Sequence, residues 1–395
     1  MSPNPWFFLR LVLFFTVAPG TLCWITYQVL QKRLHLSPKA KQVLKIGLGL
    51  LLFLLILGPT IFRALKPAPE SFISTAFQTT QYILMGWVGV LFIALIFLEA
   101  AQLLARPFDP KKRIFLTEGL TKGVIAGVTL SSGLGFWEAQ AGPEVRAVQF
   151  KLPGLPPEFN GLKITQISDV HIGPLLHSAF LERVVGQVME TRPDLIFITG
   201  DLVDGSVEQL SPMMESLKKL KAPDGVFFCT GNHEYYSGVE EWIHYLESIG
   251  IRVLKNSNQI IERPTARPSE NTSKILVAGV YDYQADRMHS SHKADAFLAA
   301  HCAELVSVKL LLAHNPHCID DAAKAGFDFQ FSGHTHAGQF YPFAWIVKGL
   351  FKHTEGHYQI NEKTQLYVNR GTGYWGPPNR LGNRSEITAY TFYGA

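Results

Sequence analysis

The rhythm of apolar and polar positions changes once along this 395-residue chain, near residue 140. Before that point apolar residues come in long runs: Trp6–Leu30, Val43–Ile61, Tyr82–Ala105 and the shorter, Gly- and Ser-rich Gly123–Trp137. A helix needs about 20 apolar residues to cross a bilayer. The first three runs therefore read as spans, and the fourth decides between three spans and four. From Gly161 onward the apolar runs are short and end in turn residues. Leu162–Ile167, Asp194–Thr199, Val226–Thr230, Ile275–Tyr281, Val308–Ala313, Phe327–Phe331, Leu366–Asn369 and Ile387–Tyr393 read as strands. Ser178–Glu190, Val207–Leu220 and Val239–Ile249 carry helical spacing, with Val239, Trp242, Ile243, Leu246 and Ile249 on one face. Strands alternating with helices predict an α/β domain with a largely parallel sheet under helical cover. Asn258–Ser273, polar and proline-containing, reads as a surface loop. The expected organisation is a transmembrane helical domain over residues 1–140, a linker and first strand over 141–160, and the α/β domain over 161–395.

Charge adds orientation. Lys32, Arg33, Lys39 and Lys41 follow the first run, and Arg106, Lys111, Lys112, Arg113 and Lys122 follow the third. Positive loops stay in the cytoplasm, so four spans put the C-terminal domain outside and three put it inside. The stretch Lys112-Arg113-Ile114-Phe115-Leu116-Thr117, followed by apolar residues and Ala139-Gln140-Ala141, is similar to a twin-arginine export signal with its first arginine replaced. That favours an integral protein of a bacterial inner membrane with an extracytoplasmic domain. The net charge of +4 gives no ground for a nucleic-acid partner. The four cysteines form no C-x-x-C pair, and whether Cys302 and Cys318 join stays open.

Five polar motifs close apolar strands: Asp169-Val170-His171, Gly200-Asp201, Gly231-Asn232-His233-Glu234, His314, and Gly333-His334-Thr335-His336. Each alone is weak. Together, at the carboxyl ends of strands that converge on one crevice, they form a metal-ligand set. Mixed imidazole, carboxylate and amide donors suit manganese, iron, zinc, cobalt or nickel better than calcium or magnesium. Seven protein ligands exceed what one tetrahedral ion takes, but two ions sharing a carboxylate would use them all. Two divalent ions against two aspartates leave a charge of about +2, which attracts phosphate and acidifies water.

In this order the motifs D-x-H, G-D-x-x-D, G-N-H-E, H and G-H-x-H resemble those of the calcineurin-like metallophosphoesterase superfamily over about residues 152–395. Ile167–Gly173 and Gly371–Pro378 are similar to its membrane-associated or exported bacterial branch. The resemblance implies a two-sheet α/β/β/α sandwich. It implies one metal on Asp169, His171, Asp201 and His336, and a second on Asp201, Asn232, His314 and His334. His233 would face the phosphate as a catalytic group. Asp204 would orient His233 or else cap a helix. The implied activity is metal-dependent phosphoester hydrolysis by a metal-activated hydroxide, on a substrate that is lipid-linked or free. Arg380 and Arg384, in a Gly/Pro-rich loop, are candidate grips for phosphate or a lipid head group. The competing reading is a non-enzymatic metal-binding membrane protein that tethers or regulates a partner. Oligomeric state has no signal in the sequence.

Overall fold

Long apolar runs become long helices. The computed structural model describes residues 20–65, 71–104, 110–265 and 272–394. Residues 20–33 form α1, and α2 (Pro38–Leu65), α3 (Phe72–Leu104) and α4 (Pro110–Ala141) follow. The greater part of the expected first span, residues 6–19, lies outside the described residues. Among those described, two helical stretches are long and apolar enough to cross a membrane, Pro38–Leu57 and Ile73–Ala101. The Gly-rich fourth run lies inside α4. Glu99, which interrupts the apolar surface of α3, pairs with Arg33 of α1 at 2.7 Å.

The chain resolves into two compact units. One comprises the helices before residue 141 together with Gly376–Leu381, and the other holds Ala141–Trp375 and Gly382–Ala395. Within the helical unit, Gly135 of α4 lies so close to Asn379 that a Cβ there would fall 1.8 Å from Asn379 Oδ1. The Arg380 backbone N–H donates to the Gly135 carbonyl at 2.9 Å. Close helix-to-loop approach therefore accounts for at least one glycine of the fourth run.

Among the described residues, the second unit is built on twelve strands. β1 (Glu144–Leu152), β2 (Leu162–Ile167), β3 (Leu195–Ile198), β4 (Val226–Phe228), β5 (Arg252–Val253) and β12 (Glu386–Gly394) form one sheet in the order β1-β12-β2-β3-β4-β5. β6 (Ser257–Pro264), β7 (Thr272–Gly279), β8 (Val308–Leu312), β9 (Phe329–Ser332), β10 (Gly356–Gln359) and β11 (Gln365–Val368) form the other, in the order β10-β11-β9-β8-β7-β6. β2, β3, β4 and β5 run parallel, as do β7, β8, β9 and β11. The antiparallel β10 and β6 edge the second sheet.

The period-two alternation of the strands explains the layers. Leu310 and Leu312 point into a core shared with Ile164, Phe197, Phe331 and Phe392, while Leu311 points the other way. On that outer side Leu311, Leu276 and Ala278 meet Ala299 of α9 (Ala296–Ala300) and Ile319 of α10 (Ile319–Lys324). Across the first sheet α5 (Ser178–Glu190) packs near β12 and against a 3-10 helix, Ser211–Lys219. The result is the expected α/β/β/α sandwich.

Two readings need correction. Val207–Leu220 is a single turn, α6 (Val207–Leu210), and then that 3-10 helix, because Pro212 cannot donate to a continuing α-helical ladder. Asn258–Ser273 is largely a hairpin: β6 pairs antiparallel with β7 from Ser257 to Pro264. Only Ile261 of β6 is buried, as suits an edge strand, so the segment carries little of the usual strand signal. The remaining helices are α7 (Asn232–Ser237), α8 (Val239–Ser248) and α11 (Phe343–Leu350). All four cysteines are free.

Candidate metal centre

All five motifs lie just past the carboxyl ends of parallel strands, three on the first sheet and two on the second. The loops after β2 and β3 are tied by backbone bonds, Asp169 N–H to the Gly200 carbonyl at 3.0 Å and His171 N–H to the Asp201 carbonyl at 3.1 Å. The sheets are clasped beneath the cleft by Gln166, buried in β2. It donates to the Thr199 hydroxyl at 2.7 Å and to the Ser332 carbonyl at 3.0 Å.

Two His/Asp groups result. In one, Asp169, His171 and His336 present ligand atoms all within 4.8 Å of one another, and in the second Asp201, His314 and His334 do the same. His171 Nε2 and His336 Nε2 face each other at 3.1 Å. His334 Nδ1 lies 3.2 Å from His314 Nε2, which is 3.1 Å from Asp201 Oδ2. Asn232 Oδ1 is buried with no hydrogen-bond partner. An orphaned acceptor costs roughly 1–3 kcal/mol unless something electropositive meets it. Facing imidazole nitrogens, two carboxylates and an unpaired buried amide oxygen fit divalent cations.

The backbone is bent to achieve this. Asp169, His171, Asp201, His334 and His336 all have positive φ, between 49° and 72°. Non-glycine residues rarely adopt that region, and each costs of the order of 1–3 kcal/mol. Glycines make the close approaches possible. A Cβ on Gly333 would fall 2.0 Å from Ser168 Oγ and 2.1 Å from Asp169 Oδ2, and one on Gly231 would fall 2.2 Å from Asp201 Oδ1.

Electrostatics agree with the geometry. Burial opposes ionisation of Asp169 and Asp201, but the histidines around them, His336 for the first and His314 for the second, hold both carboxyls well below their usual range. Burial and the neighbouring His314 hold His334 down to about 3, a neutral ligand form. His233 behaves oppositely. Burial lowers it, but Asp201 and the hydrogen bond and charge of Asp204 outweigh this and push it up to about 9.

Asp204 is not a helix cap; Ser206 caps α6. Its Oδ1 lies 2.5 Å from His233 Nδ1 and 3.2 Å from His171 Nδ1, so one carboxylate holds two imidazoles. Two supports have roles that the sequence does not reveal. His314 Nδ1–H donates to the Thr199 carbonyl at 2.8 Å, which turns Nε2 toward Asp201. Glu234 is buried and accepts from the backbone N–H groups of Gly231, Asp201 and Leu202, at 2.7, 3.0 and 2.8 Å. It locks the β3 and β4 loops together.

Of the candidate arginines, Arg384 is half-exposed and pairs with Glu144 at 3.4 Å, while Arg380 is buried and belongs to the Gly376–Leu381 segment of the helical unit. Arg370 pairs with Glu355 at 2.9 Å. Tyr374 is buried, whereas Trp375 is half-exposed with its ring 5.5 Å from that of His233. His317 stacks near Tyr283, outside the His/Asp groups.

Fold and donor set together define a metal-binding α/β/β/α sandwich protein. Residues 162–338 match the model of the calcineurin-like phosphoesterase family. A Danio rerio protein called "Transmembrane protein with metallophosphoesterase domain" is 37% identical over 258 residues, 64% of this chain and 58% of its own length. An "Uncharacterized metallophosphoesterase" of Helicobacter pylori strain J99 is 34% identical over 281 residues, 71% of this chain and 72% of its own length. The "Uncharacterized metallophosphoesterase YkuE" of Bacillus subtilis is 31% identical over 245 residues, covering 60% and 81% respectively. The chain spans 58% and 59% of the Danio rerio and Bos taurus relatives, somewhat more than half of each. The chain belongs to the metallophosphoesterase family.

Proposed function

We propose that this chain is a membrane-anchored phosphoester hydrolase whose cleft holds two divalent cations. In this reading Asp169, His171, Asp201 and His336 hold one and Asp201, Asn232, His314 and His334 the other, with Asp201 shared. The observation that carries it is the pairing of two His/Asp groups across a cleft that also contains His233. Cations there supply Lewis-acid chemistry, neutralising phosphate charge and acidifying water.

The protein's own groups do the rest. Asp204 takes His233 Nδ1–H, so Nε2 faces the Asp201 side of the cleft, 3.9 Å from Asp201 Oδ2. Held by Asp204 through Nδ1, His233 delivers a proton to the leaving oxygen or stabilises charge on the phosphate. Asp204 also fixes the His171 ring, so ligand position and acid position are set by one side chain. Glu234 keeps Asp201 and Asn232 in register by holding the backbone of both loops.

The apolar rim favours an amphiphilic substrate. Tyr236 and Trp375 flank the His233 ring and are 57% and 50% exposed. Phe351 approaches His334 with ring centroids 5.9 Å apart. It ends α11, which exposes Phe343, Trp345, Ile346 and Leu350. Residues 1–140 serve as the membrane domain, and the exposed apolar side chains of α2 and α3, such as Leu50, Phe53, Ile73 and Phe97, support contact with lipid. In this reading the catalytic domain lies on the extracytoplasmic face, which requires the Gly-rich run of α4 to cross the membrane as the fourth span.

The test uses the full chain in detergent with manganese or zinc supplied in turn. A generic aryl phosphoester should be hydrolysed, and His334→Ala should abolish turnover while the protein stays folded. Undiminished activity in that variant would overturn the reading. Metal binding with no turnover on lipid-linked or soluble phosphoesters would favour a tethering role instead. Faster turnover of a lipid-linked pyrophosphate than of a soluble monoester is the expected mark of the apolar rim.

A further inference from the structure

We propose that Glu240, His289 and His292 form a further divalent-cation site, built from residues the catalytic cleft does not use. Glu240 lies in the first turn of α8, and both histidines lie in the loop that leaves β7 and leads to α9. That loop is wound tightly. His289 N–H donates to the Ala285 carbonyl at 2.8 Å and His292 N–H to the His289 carbonyl at 3.0 Å, which puts the two imidazoles of the H-x-x-H on one side. Their ring centroids are 4.1 Å apart. One ligand atom from each of the three residues lies within 4.8 Å of the others.

The side-chain details go beyond an ion pair. His292 Nε2 is 3.1 Å from Glu240 Oε1, and His289 Nε2 faces the same oxygen at 3.7 Å. The far nitrogens are both engaged. His292 Nδ1 is 3.1 Å from the Tyr235 hydroxyl, and His289 Nδ1 is 3.1 Å from the Ser291 hydroxyl. Both rings are taken as the Nδ1–H tautomer, donating to those hydroxyls and leaving each Nε2 lone pair for the cation, the arrangement that orients metal-binding histidines. Tyr281 stacks on His292 with centroids 4.0 Å apart and fixes its plane. Were the adjacent rings of His289 and His292 both protonated, they would repel each other. Two neutral imidazoles and a carboxylate around one cation remove that conflict.

Two nitrogens and one oxygen match the donor set of zinc and similar borderline ions, and three protein ligands leave a position open. The site has a route to the cleft. Tyr235, which holds His292, follows directly after His233 and Glu234 in α7. An ion there would bind α8 to the β7 loop and steady the helix that carries His233.

The experiment counts zinc. The full chain in detergent is stripped with chelator, reloaded with Zn2+, desalted and assayed by mass spectrometry for bound metal. Wild type should hold one equivalent more than His289→Ala/His292→Ala. Glu240→Gln, which keeps the side-chain shape, should weaken that equivalent by at least about tenfold, guarding against a double variant that fails to fold. The equivalent should persist in His334→Ala, which separates it from the cleft. Equal metal content in wild type and the folded double variant would overturn the proposal, as would an unaltered zinc titration of Glu240→Gln.

Discussion

At the scale of single residues, the site joins side chains that are easy to recognise to supports that are not. Aspartate and histidine at strand ends stand out in a sequence because those residue types seldom end apolar runs together. Glu234 does not, because its three backbone donors come from loops that meet only in the folded chain. Glu234→Gln would set an NH2 group against a backbone N–H and leave donors unpaired, at a cost of about 1–3 kcal/mol. The expected result is a lower unfolding midpoint and weaker metal retention, read by thermal melts and metal analysis. His233 offers a second check. In the metal-free protein its imidazole should titrate near 9, against an ordinary 6.5, and Asp204→Asn should lower that value. NMR of the imidazole protons would follow both. A raised histidine value stabilises the fold below its ordinary pKa, and that contribution fades as pH rises through about 9. In turnover, His233→Asn should reduce kcat by about 100- to 10,000-fold with metal content intact.

At the scale of elements, alternation and helical spacing revealed what packing enforces. Ser178–Glu190 and Leu162–Ile167 take the bounds that their patterns suggest, because each buries one face or both. Two strands missing from the sequence reading share a cause. β6 is an edge strand with one buried side chain, and β5 has two residues, so neither imposes a pattern. Two sheets rather than one could not be read from local rhythm, since strands of both sheets alternate with helices alike. One helix position reverses a general rule. Gly-to-Ala in a helix interior ordinarily gains about 1 kcal/mol. Gly135→Ala should instead destabilise the helical unit, since its Cβ would collide with Asn379. A lower melting temperature in detergent than wild type checks this, and Asn379→Ala should restore part of the loss.

At the scale of the whole molecule, cations and membrane set the conditions. A ligand that binds only the folded form stabilises it by about 2.7 kcal/mol at a hundred times its Kd. Chelation should therefore lower the unfolding midpoint of the sheet-bearing unit and leave that of the helical unit unchanged, as two transitions in calorimetry would reveal. Protease added to intact cells tests sidedness: cleavage of the sandwich domain from outside is expected. The route of the chain carries one more consequence. The polypeptide leaves the sandwich unit at Trp375, contributes Gly376–Leu381 to the helical unit, and returns at Gly382. A nick near residue 141 would thus cut only one of three crossings of the chain between the units, since the helical unit is assembled from two separate stretches of sequence. A boundary drawn at residue 141 is therefore not a structural one, because residues 141–395 taken alone carry six residues that belong to the helical unit.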